Sequence, residues 1–177
     1  MTQLGLLGRA RRDEGNHAIY KPSNSSSKIP GARFQVPYVR TSAGGEVYRD
    51  YVEVAGVTAP SIAVGAASHV SPEFHQEPID GLMGLAFSSG NTVRPGPQLT
   101  FFDTVKAQLD QPLFAVALKH GAPGVFDFGY TDNQKYKGDI TYTDVDSSEG
   151  SWQFQADAYT IGNGQPTQRS LSGVAGK

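Results

Sequence analysis

Asp80-Gly81-Leu82-Met83-Gly84-Leu85-Ala86-Phe87 is the stretch on which the fold turns. Its apolar run from Leu82 to Phe87 is short and suits a buried strand better than a helix. Gly81 and Gly84 flank Leu82 and Met83, and residues without a Cβ let the backbone turn tightly and come close to another segment. Taken alone, the stretch is a strand with two packing glycines.

The surrounding chain has the same character. Its 177 residues include 21 Gly, 11 Pro and 8 Tyr with only 18% charged residues. That balance favours short strands and many turns over long amphipathic helices, so an all-β fold is expected. The length is sufficient for a sizeable core. Lys plus Arg is 15 against 17 for Asp plus Glu, which excludes the basic excess of a general nucleic-acid or anionic-membrane binder. No apolar run reaches the length needed to cross a bilayer. Neither nucleic acid nor membrane is therefore expected as a partner, and recognition should be by shape. The absence of cysteine removes disulfides and thiolate chemistry and leaves the compartment open.

Upstream of the central stretch, Phe34, Val36 and Tyr38 alternate on one face of a strand from Arg33, and Val47–Val54 reads as its partner. Thr41-Ser42-Ala43-Gly44-Gly45 between them predicts a long-loop hairpin. Ser61–Ala67 suits a further buried strand. Downstream, Phe101, Val105 and Leu109 stand four apart, with Asp103 in the first turns, and predict one helix over Thr100–Leu109. Phe114–Lys119, Val125–Phe128, Asp139–Thr143 and Trp152–Tyr159 read as strands. Gly121–Gly124, Asp144–Gly150 and Gly162–Ser170 read as the turns and polar connections between them.

Met1–Asn16 shows neither period and is expected to be an unrelated or disordered leader. Its apolar Leu4, Leu6 and Leu7 precede Arg9, Arg11 and Arg12, the reverse of the order in a secretory signal, so no export signal is expected in the chain as written. Asn24-Ser25-Ser26 forms an N-glycosylation acceptor pattern, meaningful in a secreted protein. The four histidines, His17, His69, His75 and His120, make no zinc-binding spacing, and surface or packing roles are expected for them. Asp144, Asp146 and Glu149 hint at calcium, but Glu149 stands where an EF-hand loop needs glycine, and a solvated hairpin is the better reading. No metal or cofactor is expected.

Several stretches together, in order and approximate spacing, resemble fungal pepsin-like aspartic endopeptidases. They are His17–Ser23, Gly45 with Val47, Asp50 and Val52, Asp80–Phe87, Thr100–Asp103, Pro112–Val116, and Phe126–Tyr130 with Asp132. The resemblance implies a partial two-lobed, all-β fold with both lobes incomplete. Residues 17–125 would be the remainder of the N-terminal lobe, including a flap hairpin, and residues 126–177 the start of the C-terminal lobe. It implies a peptide or protein substrate, a secreted family and a preference for apolar side chains. By position, Tyr38 matches the flap tyrosine, and Phe74 and Leu82 match walls of the pocket that receives a substrate side chain. Where the family typically has Gly-Asp-Gly-Ser after that tyrosine, this chain has Val39-Arg40-Thr41-Ser42, a stiffer tip of altered charge.

Peptide hydrolysis of this kind needs two carboxylates that share a proton, one form activating water while the other donates. The resemblance implies that each catalytic Asp is followed by Thr or Ser and then Gly. No Asp-Thr-Gly or Asp-Ser-Gly occurs in the sequence, and Gly173-Val174-Ala175 runs into Gly176-Lys177 where the second would stand. Asp13-Glu14-Gly15 has Glu in place of the hydroxyl, Asp103-Thr104 is followed by Val105, and Asp80-Gly81 lacks the hydroxyl residue. No catalytic residue is assigned. The expectation is a truncated aspartic endopeptidase without activity of its own. The alternatives are a non-catalytic peptide- or protein-binding pseudoprotease and an interaction protein that self-associates through exposed strand edges.

Overall fold

In the computed structural model, which describes residues 6–9 and 17–175, the elements follow as β1 (Leu6–Arg9), β2 (Ser27–Pro37), β3 (Ser42–Val54), β4 (Val57–Val70), β5 (Gly81–Met83), α1 (Phe101–Val105), β6 (Phe114–Lys119), β7 (Ala122–Phe128), β8 (Trp152–Tyr159) and β9 (Thr167–Ala175). Short 3₁₀ turns occupy Pro72–His75, Ser88–Gly90 and Lys106–Gln108. The fold is mostly β, as its composition predicts. One five-stranded sheet runs in the order β2-β3-β4-β1-β5, and β6-β7 and β8-β9 form two separate hairpin sheets.

β4 is the spine. Residues 62–67 are all buried, the near-continuous pattern of a strand covered on both faces. Ala63 and Ala67 join Phe34, Val36, Val47 and Val93 in one apolar cluster. Ile62 and Val64 join Phe101, Val105 and Phe128 in the other. Phe101 is fully buried, its ring edge set against Phe128 at 5.7 Å between centroids. Full burial of a side chain of this size is worth about 1.5–3 kcal/mol, so these clusters dominate the stability of the region.

The predicted long loop at Thr41–Gly45 is a strand instead. Ala43, Gly44 and Gly45 pair with Val36, Gln35 and Phe34, and β3 begins at Ser42. Gly45 serves close packing here: a Cβ at that position would lie 2.0 Å from the Ala66 carbonyl oxygen of β4. The β3–β4 ladder shifts register between Gly44 and Gly45, where Gly44 faces His69 and Gly45 faces Ala67.

Leu6–Arg9, expected within a disordered or unrelated leader, forms β1. It lies parallel to β4 and antiparallel to β5 and closes the gap between them. Four residues are too few for a period to show. The rest of the leader, positions 1–5 and 10–16, lies outside the described residues.

The predicted helix starts where expected, with the Thr100 hydroxyl accepting the Asp103 N–H at 3.2 Å. It is α-helical only to Val105, and Lys106–Gln108 tighten into a 3₁₀ turn, a common way to satisfy the last carbonyls of a helix. Asp139–Thr143 is not a strand. It has no ladder partner among the described residues, and Ile140 and Tyr142 are exposed. Part of Gly162–Ser170 is strand, since β9 starts at Thr167.

β8 and the loop before it dock through the Trp152 indole N–H, which donates to the Leu85 carbonyl at 2.8 Å. The Trp152 ring stacks on Phe87 at 4.3 Å. Beside it Gly150, at φ +73°, lies so close to Gly90 that a Cβ would meet the Gly90 backbone at 2.6 Å. Only glycine satisfies both conditions there.

Candidate substrate-binding recess

The β2–β3 hairpin ends in a turn closed by the Tyr38 N–H on the Thr41 carbonyl at 2.7 Å. Val39 at its tip is 95% exposed, whereas Tyr38 is half-buried and turns its ring edge-on to Phe74 at 5.5 Å and 72°. Burial pushes the Tyr38 phenol above its ordinary value. Phe74 sits in the 3₁₀ turn that follows β4. That turn is tied to the base of the hairpin by two hydrogen bonds. The Ser71 N–H donates to the Ser42 carbonyl at 2.9 Å, and the Ser42 N–H donates to the Ser71 hydroxyl at 2.7 Å.

Phe74 and Leu82 line one apolar recess together with Ala43, Ala67, Val70 and Ile79. The three residues singled out in the sequence thus converge, Leu82 on β5, Phe74 on the turn, and Tyr38 stacked on Phe74. The enclosed volume is about 20 Å³, room for one water and not for a side chain.

Asp80, at the mouth, accepts the Ala18 N–H at 3.0 Å, and His17 Nδ1 lies 3.1 Å from the same oxygen. This tether joins residues more than sixty apart in sequence. His17–Ser23 and Asp80–Phe87 were both singled out in the sequence, but their contact had no sequence signal.

Three further carboxylates, Asp103, Asp50 and Asp127, are tied to structural donors. Burial raises Asp103, but donors from Lys106 and Ser88 outweigh it and hold the group below its ordinary range. Its Oδ1 takes the Lys106 ammonium at 2.7 Å, and its Oδ2 takes the Ser88 hydroxyl. Burial likewise raises Asp50, and donors from Ser25 at 2.7 Å, Tyr20 at 2.8 Å and the Tyr51 N–H at 2.8 Å more than reverse it. Asp127 is lowered first by Lys135, against burial, and then by Tyr130. Two carboxylates sharing a proton push one of the pair upward. Among the described residues every shifted carboxylate moves down. Asp13 lies outside the described residues.

Among the described residues no group of three or more His, Cys, Asp or Glu could hold a metal ion. Asp146 closes its own turn by accepting the Ser148 N–H at 2.9 Å. No described helix is long and apolar enough to cross a membrane.

A second, larger groove of about 760 Å³ opens between β5, α1 and the two hairpins, with Met83, Phe102, Phe114, Phe126, Trp152 and Phe154 among its walls. Sequence reasoning missed it, because strands with apolar residues read as core whether or not anything covers them.

The family model described as eukaryotic aspartyl protease matches residues 9–175. Aspergillopepsin-1 of Aspergillus fumigatus is 60% identical over 161 residues, covering 90% of this chain and 41% of that protein. Penicillopepsin-1 of Penicillium rubens is 53% identical over 165 residues, covering 92% and 41%. The crystal structure of an aspartic proteinase from Irpex lacteus superimposes with a TM-score of 0.76 at 26% identity, covering 90% of this chain and 50% of that one. The chain therefore spans about two fifths of the length of these curated relatives.

Proposed function

Since this chain belongs to the eukaryotic aspartyl protease family, we propose that it is the central part of a fungal pepsin-like aspartic endopeptidase and holds extended peptide beneath the β2–β3 hairpin. The observation that carries the reading is the convergence of Tyr38, Phe74 and Leu82 on one apolar recess. An apolar substrate side chain enters the recess once the hairpin opens, and the Tyr38 ring, packed edge-on to Phe74, moves with the hairpin. In this reading residues 17–125 belong to the first lobe and the second begins near residue 126. The β6–β7 hairpin then forms the joint, and the larger apolar groove beside it seats the remaining polypeptide of the two-lobed fold. The protein is proposed to be secreted, as the resemblance implies.

Hydrolysis by this chain alone is not expected. Its sequence contains no Asp-Thr-Gly or Asp-Ser-Gly, and the carboxylates with shifted titration are committed as anions to structural donors, so none is poised to donate a proton. The second reading, a peptide- or protein-binding pseudoprotease, is favoured by the same recess, which needs no catalytic group to hold an apolar side chain.

One experiment tests both. The purified chain is assayed at acid pH for cleavage of an unstructured polypeptide and for binding of a statine-type transition-state mimic. No cleavage is expected. Mimic-sensitive cleavage overturns the inactive reading. Saturable binding of an apolar peptide, lost in Phe74→Ala, supports the binding reading, and binding indifferent to Phe74→Ala removes the recess from it.

A further inference from the structure

We propose that Asn24 is an N-glycosylation site, modified before the chain folds and left standing at the outer corner of a stapled turn. The inference rests on the reading of the protein as secreted. Of the five asparagines, at positions 16, 24, 91, 133 and 163, only Asn24 begins an Asn-x-Ser/Thr triplet. The structure supplies what the triplet alone does not. Asn24 is exposed and occupies the turn that leads into β2.

The two hydroxyls that follow Asn24 are both committed to the protein. Ser25 Oγ donates to Asp50 Oδ1 at 2.7 Å, which fastens the turn to β3. Ser26 Oγ donates to the Ser23 carbonyl and accepts the Ser23 N–H, each at 2.9 Å, which closes the turn on itself. Among the described residues none takes a hydrogen bond from the Asn24 amide. The turn is rigid on either side of an asparagine that is left to solvent, where a bulky, solubilising sugar is tolerated.

The position also spares the recess. Asp50 lies eight residues along β3 from Ser42 at the hairpin base, about 26 Å at the rise of a strand. A glycan at Asn24 extends from the far end of the sheet and leaves Tyr38, Phe74 and Leu82 uncovered.

In the transfer, Asn24 Nδ2 bonds to C1 of the first sugar of a lipid-pyrophosphate-linked oligosaccharide. The C1–O bond to the pyrophosphate breaks, the lipid pyrophosphate leaves, and the amide gives up one proton. Acceptor recognition uses the hydroxyl two residues after the asparagine. In the folded turn that hydroxyl is closed on Ser23, so transfer comes first and folding then seals the site.

The test is translation of the full chain behind a borrowed cleavable export signal, in the presence of endoplasmic-reticulum microsomes. The expected product carries the mass of a single glycan, is collapsed by an endoglycosidase, and is missing in Asn24→Gln and in Ser26→Ala. Ser26→Thr and Ser25→Ala keep it, since both leave the triplet intact. A full chain with no endoglycosidase-sensitive form, or a shift that survives in Asn24→Gln, overturns the site. Because transfer precedes folding, a variant that misfolds still reports. The borrowed signal separates this result from the reading of export, since it delivers the chain to the lumen whether or not the protein carries an export signal of its own.

Discussion

β4 and β7 are both apolar strands, and they differ in what covers them. Residues 62–67 of β4 are buried on both faces, between the β2–β3 hairpin on one side and α1 on the other. In β7, Phe128 is buried against Phe101, while Phe126, two residues earlier, is 47% exposed and faces the large groove. The same residue type is core at one position and surface two positions away. Burial here depends on the number of neighbours a strand has in the fold, and β6–β7 has few.

The largest expected effect separates the two regions directly. Phe101→Ala removes a fully buried ring from the junction of α1, β4 and β7 and is expected to cost about 3–5 kcal/mol, comparable to the whole stability of a small domain. Cooperative unfolding followed by circular dichroism should disappear. Phe126→Ser, on the open face, is expected to change stability by no more than about 0.5 kcal/mol and to lower concentration-dependent self-association, read by light scattering. Equal losses in the two variants would show that the groove is as well covered as the core.

Much of this difference was not legible in the sequence. The identity of the core was: Phe34 and Val36 were placed on one face by their alternation, and Phe101 and Val105 by helical spacing, and all four are buried. Tyr38, Phe74 and Leu82 were singled out by resemblance, and the structure brings them together. Glycine was the ambiguous letter. Gly44 and Gly45 read as a loop because a turn and a close strand crossing both require a missing Cβ, and only the neighbouring Ala66 carbonyl distinguishes them. β1 was illegible because it is short and is held by partners distant in sequence. Exposure of β7 was illegible because a strand's pattern says which face is apolar and not whether another segment lies upon it.

A smaller effect tests how the open region is attached. Gly150→Ala places a Cβ against the Gly90 backbone at a residue with φ +73°, and it is expected to destabilise by more than about 1 kcal/mol. Trp152 is the sole tryptophan and reports this joint through its contacts with Phe87 and Leu85. In the parent chain its fluorescence should change at lower urea than the circular dichroism signal of the five-stranded sheet. Gly150→Ala should widen that gap. Coincident curves in both chains would mean that the two regions unfold as one.

The carboxylates extend the comparison to pH and salt. Asp50, in the covered region, is held by the neutral donors Ser25, Tyr20 and the Tyr51 amide, whereas Asp127, in the open one, is held by the Lys135 ammonium and Tyr130. Both are depressed when folded, so each contributes stability above the ordinary carboxylate value of 3.8 that is lost as pH falls through the depressed one. Tyr20 gives the opposite sign. Burial first, and then Asp50, push it from 10.0 to about 12, so its contribution is complete below pH 10.0 and is lost as pH rises toward 12. Only the Asp127 contribution relies on a partly exposed cation, so about 0.5 M salt should weaken it and leave the Asp50 contribution in place. Urea titrations of Asp50→Asn and Asp127→Asn across pH and salt would show this. Equal salt sensitivity at the two sites would break the distinction.

The smallest effect lies in the two-residue turn between β3 and β4. Val54 pairs with Val57 across Ala55 and Gly56, which adopt φ of 51° and 78°. Positive φ at both central residues is the turn that matches the twist of a hairpin, and Asn-Gly is its preferred sequence. Alanine has a Cβ that crowds the carbonyl in this conformation and no side-chain amide to offset it. Ala55→Asn is expected to gain roughly 0.5–1 kcal/mol, a part of the left-handed penalty, seen as a higher urea midpoint at unchanged slope. Because the turn joins the two longest strands of the covered sheet, the gain should appear in the circular dichroism transition and leave the Trp152 transition where it was. A shift of both by the same amount would show that the open region takes its stability from the sheet, and an unchanged or lower midpoint would mean that the strain at Ala55 is already relieved by its neighbours.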